Sequence, residues 1–397
     1  MKIVHLVTST TGGAAQAAIR LHEALLAASH DSNIISIERR VENSSSDFVK
    51  KLKTNRPRRV LSSAVTFLQR RIIQRGNNPV SPISLDLLDW DDVHVESADV
   101  IHLHAFYNLV SVRNFLSRYP LKRKVVTLHD ERFYTGGCHQ SFDCEQISTG
   151  CKHCPQVHPP FRSLVSNQRS QVIELIRDKE NVVFVCPSMW ILKRAMKSFP
   201  DFPSTNFVQV YNPIPKNKLP LESNNDLKKE IGFGFVSQSL ENPIKNLNLL
   251  LEAFEEISRI HPDRYYLTIV GESDKDYSRD YPKIMQKVAS SSLELQEILR
   301  SIDILVVPST HDNLPNVMGE ALMSGLGLIG SKTGGIPEII GLFDQSLFEN
   351  GDKRGLIQAM LSCELPDRAQ IQNQAEIVFG YKAIAAKMVQ VYSSILE

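Results

Sequence analysis

The chain reads as an α/β protein built from two successive doubly wound parallel sheets, and three observations lead there. Short β-branched runs alternate with helix-like stretches through most of the sequence. The alternation halts once, at Asn212-Pro213-Ile214-Pro215 and the polar residues after it, and then restarts. At 397 residues the chain also exceeds what one ordinary core organises. These boundaries predict a first domain over 1–211, a linker over 212–225, a second domain over 226–373, and a final helical segment over 374–397.

Six apolar runs in the first half read as strands: 3–7, 34–37, 100–103, 124–128, 182–186 and 207–211. The first leads into Thr8-Ser9-Thr10-Thr11-Gly12-Gly13 and then an Ala-rich helix with Ala14, Ala18, Leu21 and Leu25 on one face. Glycines at a strand-to-helix turn let a phosphate or sugar approach the backbone, although a tight βα turn needs glycine anyway. The spacing is not G-x-G-x-x-G, so a dinucleotide fingerprint is absent. His104 ends the third run, and His129-Asp130 ends the fourth. His102 and His104 alternate along one strand and so share a face. No carboxylate spacing nearby completes a metal site, so polar cleft contacts are the expected role. Asp89-Trp90-Asp91 and Asp274-Lys275-Asp276 have the D-x-D pattern but sit in polar loop contexts, and read as solvated turns.

Residues 50–75 stand apart. They hold Lys50, Lys51, Lys53, Arg56, Arg58, Arg59, Arg70, Arg71 and Arg75 with no acid, while Val60, Leu61, Ala64, Val65, Leu68 and Ile72 recur at helical spacing. Two readings are open: a helix lying on an anionic membrane surface, or a helix docked on its own domain with cations in water.

Cys138, Cys144, Cys151 and Cys154 fall within one polar loop, 138–154, that closes on a C-x-x-C. In a reducing compartment four thiolates this close suit a structural zinc, with His139 or His153 able to replace one ligand. Disulfides and free thiols are the alternatives. A four-ligand site has no open position for catalysis.

The second half restarts with runs at 233–236, 266–270, 304–307 and 328–330. The run at 304–307 feeds a loop and helix written Asp312-Asn313-Leu314-Pro315-Asn316-Val317-Met318-Gly319-Glu320. Strand ends that open into helix N-termini are where α/β proteins place ligands, and unpaired N–H groups there suit phosphate. Asp312 falls in the loop and Glu320 about two turns into the helix. A similar turn, Thr333-Gly334-Gly335-Ile336-Pro337-Glu338, follows the run at 328–330. Lys245, after Asn242-Pro243-Ile244, supplies a cation able to neutralise a diphosphate. The last segment is read as one amphipathic helix with Ile377, Ile384, Met388, Val391 and Ile395 near one face.

Lys plus Arg (45) nearly balances Asp plus Glu (44), so nothing global suggests a nucleic-acid binder. No stretch approaches the length of a membrane span, and the first residues lack a signal-peptide pattern. A cytoplasmic location is therefore expected, at most peripheral at the inner face of the membrane.

Taken together, Gly12-Gly13, His104, Thr127-Leu128-His129-Asp130, Pro187-Ser188-Met189-Trp190, Tyr211-Asn212-Pro213-Ile214, Lys245, Asp312 to Glu320 and Gly334-Gly335-Ile336-Pro337-Glu338 resemble the retaining glycosyltransferases of family 4. Their order and spacing carry the resemblance over nearly the whole chain, and the cysteine loop is similar to that of the bacterial surface-polysaccharide subset around colanic acid transferases. The resemblance implies a GT-B fold: two facing Rossmann-like domains and a C-terminal helix crossing back to the first. It implies transfer of a sugar from a nucleotide diphosphate sugar (UDP- or GDP-) to a glycan or lipid-linked acceptor, with retention and without a catalytic metal. By position, Glu320 would hold the ribose hydroxyls, Asp312 the transferred sugar and Lys245 the diphosphate. Asn313, Leu314, Gly13, Gly12 and Gly335 would add backbone donors or close approach. His129 would stand near the reacting sugar, with His104 and Asp130 on the acceptor side. Two departures stand out: Asp rather than Glu at 312, and no Arg ahead of Lys245.

Rival readings are a nucleotide-sugar epimerase on the same fold, a degenerate glycan-binding partner, and a zinc-ribbon nucleic-acid binder. The last is disfavoured because the cysteine loop carries few cations.

Overall fold

The computed structural model describes residues 1–37, 49–51, 56–76, 78–177, 179–217, 230–279 and 283–394. Lys53, the side chains of Lys50, Lys51 and Arg56, linker residues 218–229 and Ile395 lie outside them. The chain divides into two compact units, Met1–Asn212 with Ile384–Glu397, and Pro213–Ala383.

The first unit runs β1 (Lys2–Val7), α1 (Gly13–Ala27), β2 (Asp31–Ser36), β3 (Val49–Lys51), α2 (Arg56–Leu68), a π-helical turn (Gln69–Ile73), α3 (Val93–Glu96), β4 (Val100–Leu103), α4 (Val112–Ser117), β5 (Arg123–Thr127), α5 (Arg162–Ile176), β6 (Val182–Cys186), α6 (Met189–Ser198) and β7 (Phe207–Gln209). Its seven strands lie in the order β3-β2-β1-β4-β5-β6-β7, with parallel pairing throughout. Strands buried on both faces need continuous apolar runs, and Ile3, Val4, Leu6, Ile101, Leu103, Val125, Val126 and Phe184 supply them. α1 buries Ala15, Ala18, Leu21 and Leu25 at helical spacing, the stripe that packs it on the sheet.

The second unit runs β8 (Ile231–Ser239), α7 (Leu247–Ile260), β9 (Tyr265–Glu272), β10 (Ile284–Lys287), α8 (Ser292–Arg300), β11 (Ile304–Val307), α9 (Asn316–Met323), β12 (Gly327–Ser331), α10 (Ile336–Leu342), β13 (Ser346–Phe348), α11 (Lys353–Ser362) and α12 (Arg368–Phe379). Six parallel strands take the order β10-β9-β8-β11-β12-β13. A buried ion pair fastens α12 to the root of β11. Arg368 Nη2 donates to Asp303 Oδ1 at 2.9 Å and to the Ile302 carbonyl at 2.6 Å, while Asp303 Oδ2 accepts the Gly232 N–H at 2.8 Å.

The last segment differs from the single helix expected. Gly380 leaves the helical conformation at ψ 148° and separates α12 from α13 (Tyr381–Ser394). A Cβ there would meet the Glu376 carbonyl oxygen at 2.3 Å, so the break takes glycine. The apolar face is broken with it. Ile377 is 75% exposed on α12, whereas Ile384, Met388, Val391 and Tyr392 of α13 join Ile3, Leu21, Leu25 and Val100 in the first unit's core. The linker's start also packs: the Ile214 N–H donates to the Phe379 carbonyl at 2.9 Å, and Gly319 has no room for a Cβ beside Ile214.

Candidate active site

In the second unit, chain order reverses between β8 and β11, the switch point at which open α/β sheets bind ligands outside the strands' carboxyl ends. Three loops leave those ends side by side. The one after β8 carries Lys245, the one after β11 carries Asp312 to Pro315, and the one after β12 carries Thr333 to Gly335. Backbone and hydroxyl bonds tie them together. Thr310 donates its N–H to the Ile244 carbonyl at 2.8 Å, and Thr333 Oγ1 donates to the Thr310 carbonyl at 3.1 Å. Gly335 donates its N–H to the Asn313 carbonyl at 2.8 Å.

Lys245 Nζ reaches Asp312 Oδ2 at 2.5 Å, with both side chains more than two-thirds covered. The structure thus joins the residue expected at the diphosphate to the one expected at the transferred sugar. The glycine that the third loop demands is Gly334, not Gly335. Its φ is +56°, and a Cβ would fall 1.5 Å from the Asp312 carbonyl oxygen. Glu320 lies a little over one turn into α9, nearer the helix start than the two turns expected, because Pro315 is the N-cap and the helix begins only at Asn316.

The first unit has its own switch point between β1 and β4. There a cavity of about 220 Å³ is lined by Thr8, His104, Tyr107, His129, Asp130 and Arg132. A hollow of about 330 Å³, lined by Lys2, Asp31 and Val93, lies where the strands begin, away from the side chains of interest. At the first turn Gly12 has φ 90°, a conformation glycine adopts without cost, and Thr8 Oγ1 bridges the carbonyls of Ala105 at 2.9 Å and Tyr107 at 2.7 Å.

A row of imidazoles runs from this cavity into the sheet. His129 Nε2 lies 3.1 Å from His104 Nδ1, and His104 Nε2 lies 3.0 Å from His5 Nδ1. His102, paired with His5 in strand register, bonds Tyr392 Oη and Thr127 Oγ1, each at 2.7 Å. Burial holds all four rings neutral: His129 is lowered to about 4, and His5, His102 and His104 fall well below the usual range. Nitrogens of His5, His102 and His104 lie within 4.8 Å of one another, the one group of three or more possible ligands this close among the described residues. The shared bonds make it a hydrogen-bonded network of neutral rings.

Asp130 accepts from His139 Nδ1 at 3.1 Å and from the Arg132 N–H at 2.9 Å. Burial raises its carboxyl, but these partners outweigh it and the net shift is downward. Arg132 is sandwiched against Phe106 and Tyr107, 4.4 and 4.7 Å from their ring centres, and burial lowers it to about 10. His5 and Arg132 were not singled out from the sequence, His139 was named only as a stand-in zinc ligand, and Gly334 only as part of its turn. His5 could have been found, since it stands on the strand beside His102.

The cysteine loop packs on buried side chains, polar and apolar. Glu131, 1% exposed, accepts from Arg194 Nε at 2.6 Å, Tyr134 Oη at 3.0 Å and the Ser141 N–H at 2.6 Å. Cys151 and Cys154 pack with Ile73, Val80, Val157 and Val165. Cys138 donates its thiol to the Gln140 carbonyl at 3.2 Å, and burial raises the Cys138, Cys151 and Cys154 thiols. The two D-x-D aspartate pairs are exposed, as expected of turns.

Residues 230–364 match the family model described as glycosyl transferases group 1. A search of curated proteins finds no match. Among solved structures the chain is similar to sucrose-phosphate synthase from Thermosynechococcus elongatus, at 16% identity and TM-score 0.64, covering 100% of this chain and 99% of that one. It is similar to HepE of Anabaena in complex with UDP, at 14% identity and TM-score 0.62, covering 99% and 100%. It is also similar to the lipopolysaccharide outer core galactosyltransferase WaaB, at 14% identity and TM-score 0.60, covering 99% of each. The fold is therefore GT-B, two Rossmann-like domains, and the second unit carries a group 1 glycosyltransferase domain.

Proposed function

We propose that the protein is a retaining glycosyltransferase. It moves a sugar from a UDP- or GDP-sugar to a glycan acceptor, lipid-linked, in cell-surface polysaccharide synthesis. The observation that carries this reading is the meeting of Lys245, Asp312 and the Gly334 turn at the carboxyl ends of β8, β11 and β12. A diphosphate arriving there competes with Asp312 for the Lys245 ammonium, and the displaced carboxylate is then free to accept from sugar hydroxyls. Glu320, on the adjoining helix, holds the ribose hydroxyls. Complexes of HepE with UDP, with UDP-glucose, and with UDP and glucose support a nucleotide-sugar donor on this fold.

The difficult step is breaking the anomeric C–O bond while negative charge grows on the departing diphosphate. A preorganised ammonium and main-chain N–H groups stabilise that charge, so the reaction needs no metal at the anomeric centre. The leaving phosphate oxygen takes the acceptor hydroxyl's proton, and the new C–O bond forms on the face just vacated, which retains configuration. His129 stays neutral across physiological pH, able to give or accept a hydrogen bond without carrying charge. No three of Cys138, Cys144, Cys151 and Cys154 bring ligand atoms within 4.8 Å of one another, so as they stand they do not form the tetrahedral zinc site that their spacing suggests.

A thermal-shift screen against UDP-, GDP- and ADP-sugars, followed by nucleotide-release assays with an acceptor panel, tests the reading. Donor stabilisation with acceptor-dependent release supports it. Donor conversion without acceptor indicates an epimerase, and donor binding without release across the panel indicates a degenerate partner.

A further inference from the structure

Helix α2 and its π-helical turn are amphipathic the wrong way round for a helix docked on its own domain. The face turned inward is polar from Ser62 to Gln69 and becomes apolar only at its end, at the buried Ile73. Ser62 and Gln69 are buried, Thr66 Oγ1 accepts from Tyr107 Oη and Asn108 Nδ2 at 2.8 Å each, and Gln69 exchanges bonds with Ile83 at 3.1 and 2.8 Å. Residues 62, 66, 69 and 73 fall on one side at helical spacing. The opposite side presents Val60 at 69% exposure, Leu61 at 56%, Phe67 at 61%, Leu68 at 47% and Ile72 at 49%. Arg58, Arg59, Arg70, Arg71 and Arg75 are exposed around it.

We propose that this face is a docking surface for an anionic lipid bilayer, into whose interfacial layer the exposed apolar side chains insert. Charge decides the occupant. No Asp or Glu lies between residues 50 and 75, and the nine cations there exceed the chain's net charge of +1. The remainder of the chain is therefore net negative and is repelled by the surface this face seeks, which fixes the orientation of docking. A second copy is the poorer fit, because a two-fold contact would press like patches of arginine together. The polar side of the same helix bonds Tyr107, which lines the cavity of the first unit, so docking brings that cavity beside the membrane. The inference is independent of transfer activity and goes beyond it.

Flotation of the full chain with phosphatidylcholine vesicles, with and without about 30% phosphatidylglycerol, tests the proposal. Binding is expected to the anionic vesicles alone and to weaken with salt. Arg70→Gln with Arg71→Gln should lower the partition coefficient about 25-fold, at about fivefold per cation. Phe67→Ser with Leu68→Ser should lower it about tenfold or more. All four positions are solvent-exposed, and circular dichroism with unchanged Tm confirms that the variants fold. Equal binding to both vesicle types, absence of flotation, or folded variants that bind like the parent would each overturn the proposal. So would light scattering that reveals a dimer dissolved by Phe67→Ser with Leu68→Ser, since a second copy would then occupy the face.

Discussion

Acidification from pH 7 to pH 5 should loosen the first unit well before any carboxylate titrates. His22 is 1% exposed, and burial lowers it to about 4, against about 6.5 for a free imidazole. The unfolded chain therefore binds a proton between these values that the folded chain refuses. Stability from this group is whole above pH 6.5 and is lost as pH falls toward 4. Over the step from pH 7 to pH 5 the loss is about 2 kcal/mol from His22 alone. His129 is also lowered to about 4 by burial, and His5, His102 and His104 move the same way, so all add to it. Against a total of about 5–15 kcal/mol, that is a large fraction. The chain's two tryptophans, Trp90 and Trp190, both belong to the first unit, so their fluorescence in urea titrations reports on it. The urea midpoint should fall steeply between pH 7 and pH 5. An unfolding free energy unchanged over that range would refute the reasoning, for it would mean the rings are already charged or already wet.

Lys245→Ala should lower turnover by about 10²-fold or more, the scale of one lost transition-state donor, read as nucleotide released from donor plus acceptor. Arg368→Ala strips the partner from an Asp303 carboxylate that is 1% exposed, and should destabilise the second unit by about 3–5 kcal/mol in a urea titration followed by circular dichroism. Elemental analysis of protein purified without chelator should find no zinc at the cysteine loop, whose buried Cys138, Cys151 and Cys154 stand as thiols and gather no three ligands within 4.8 Å. One zinc per chain, lost in Cys154→Ser together with several degrees of Tm, would overturn that.

Ten strands were legible because a parallel strand buried on both faces has to be written in Val, Ile, Leu and Phe, and runs such as 100–103 and 304–307 match the structure to the residue. The strands not foreseen, β3, β10 and β13, are the short edge strands at 49–51, 284–287 and 346–348, and in the last two half-exposed or exposed residues such as Met285, Gln286, Ser346 and Leu347 blur the pattern. Lys245 and Asp312 stood out as ligand-facing residues, but not as partners 2.5 Å apart, because 67 positions separate them and only the sheet order brings them together. The tail was misread for a related reason: an apolar period carried across Gly380 assumes a continuous helix, and glycine was free to end it. The basic helix was the reverse case. Its apolar period was correctly seen, but periodicity alone does not say which face meets the protein.

The division of the core has a consequence for synthesis. Ile384, Met388, Val391 and Tyr392 complete a cluster begun by Ile3, Leu21 and Leu25, yet a ribosome adds them only after the entire second unit. The amino-terminal sheet must then wait, part-built, while later segments emerge. A transcript cut short before codon 392 would leave the His102 Nδ1 without its phenol hydroxyl, so premature termination costs the first unit a buried hydrogen bond along with part of its core.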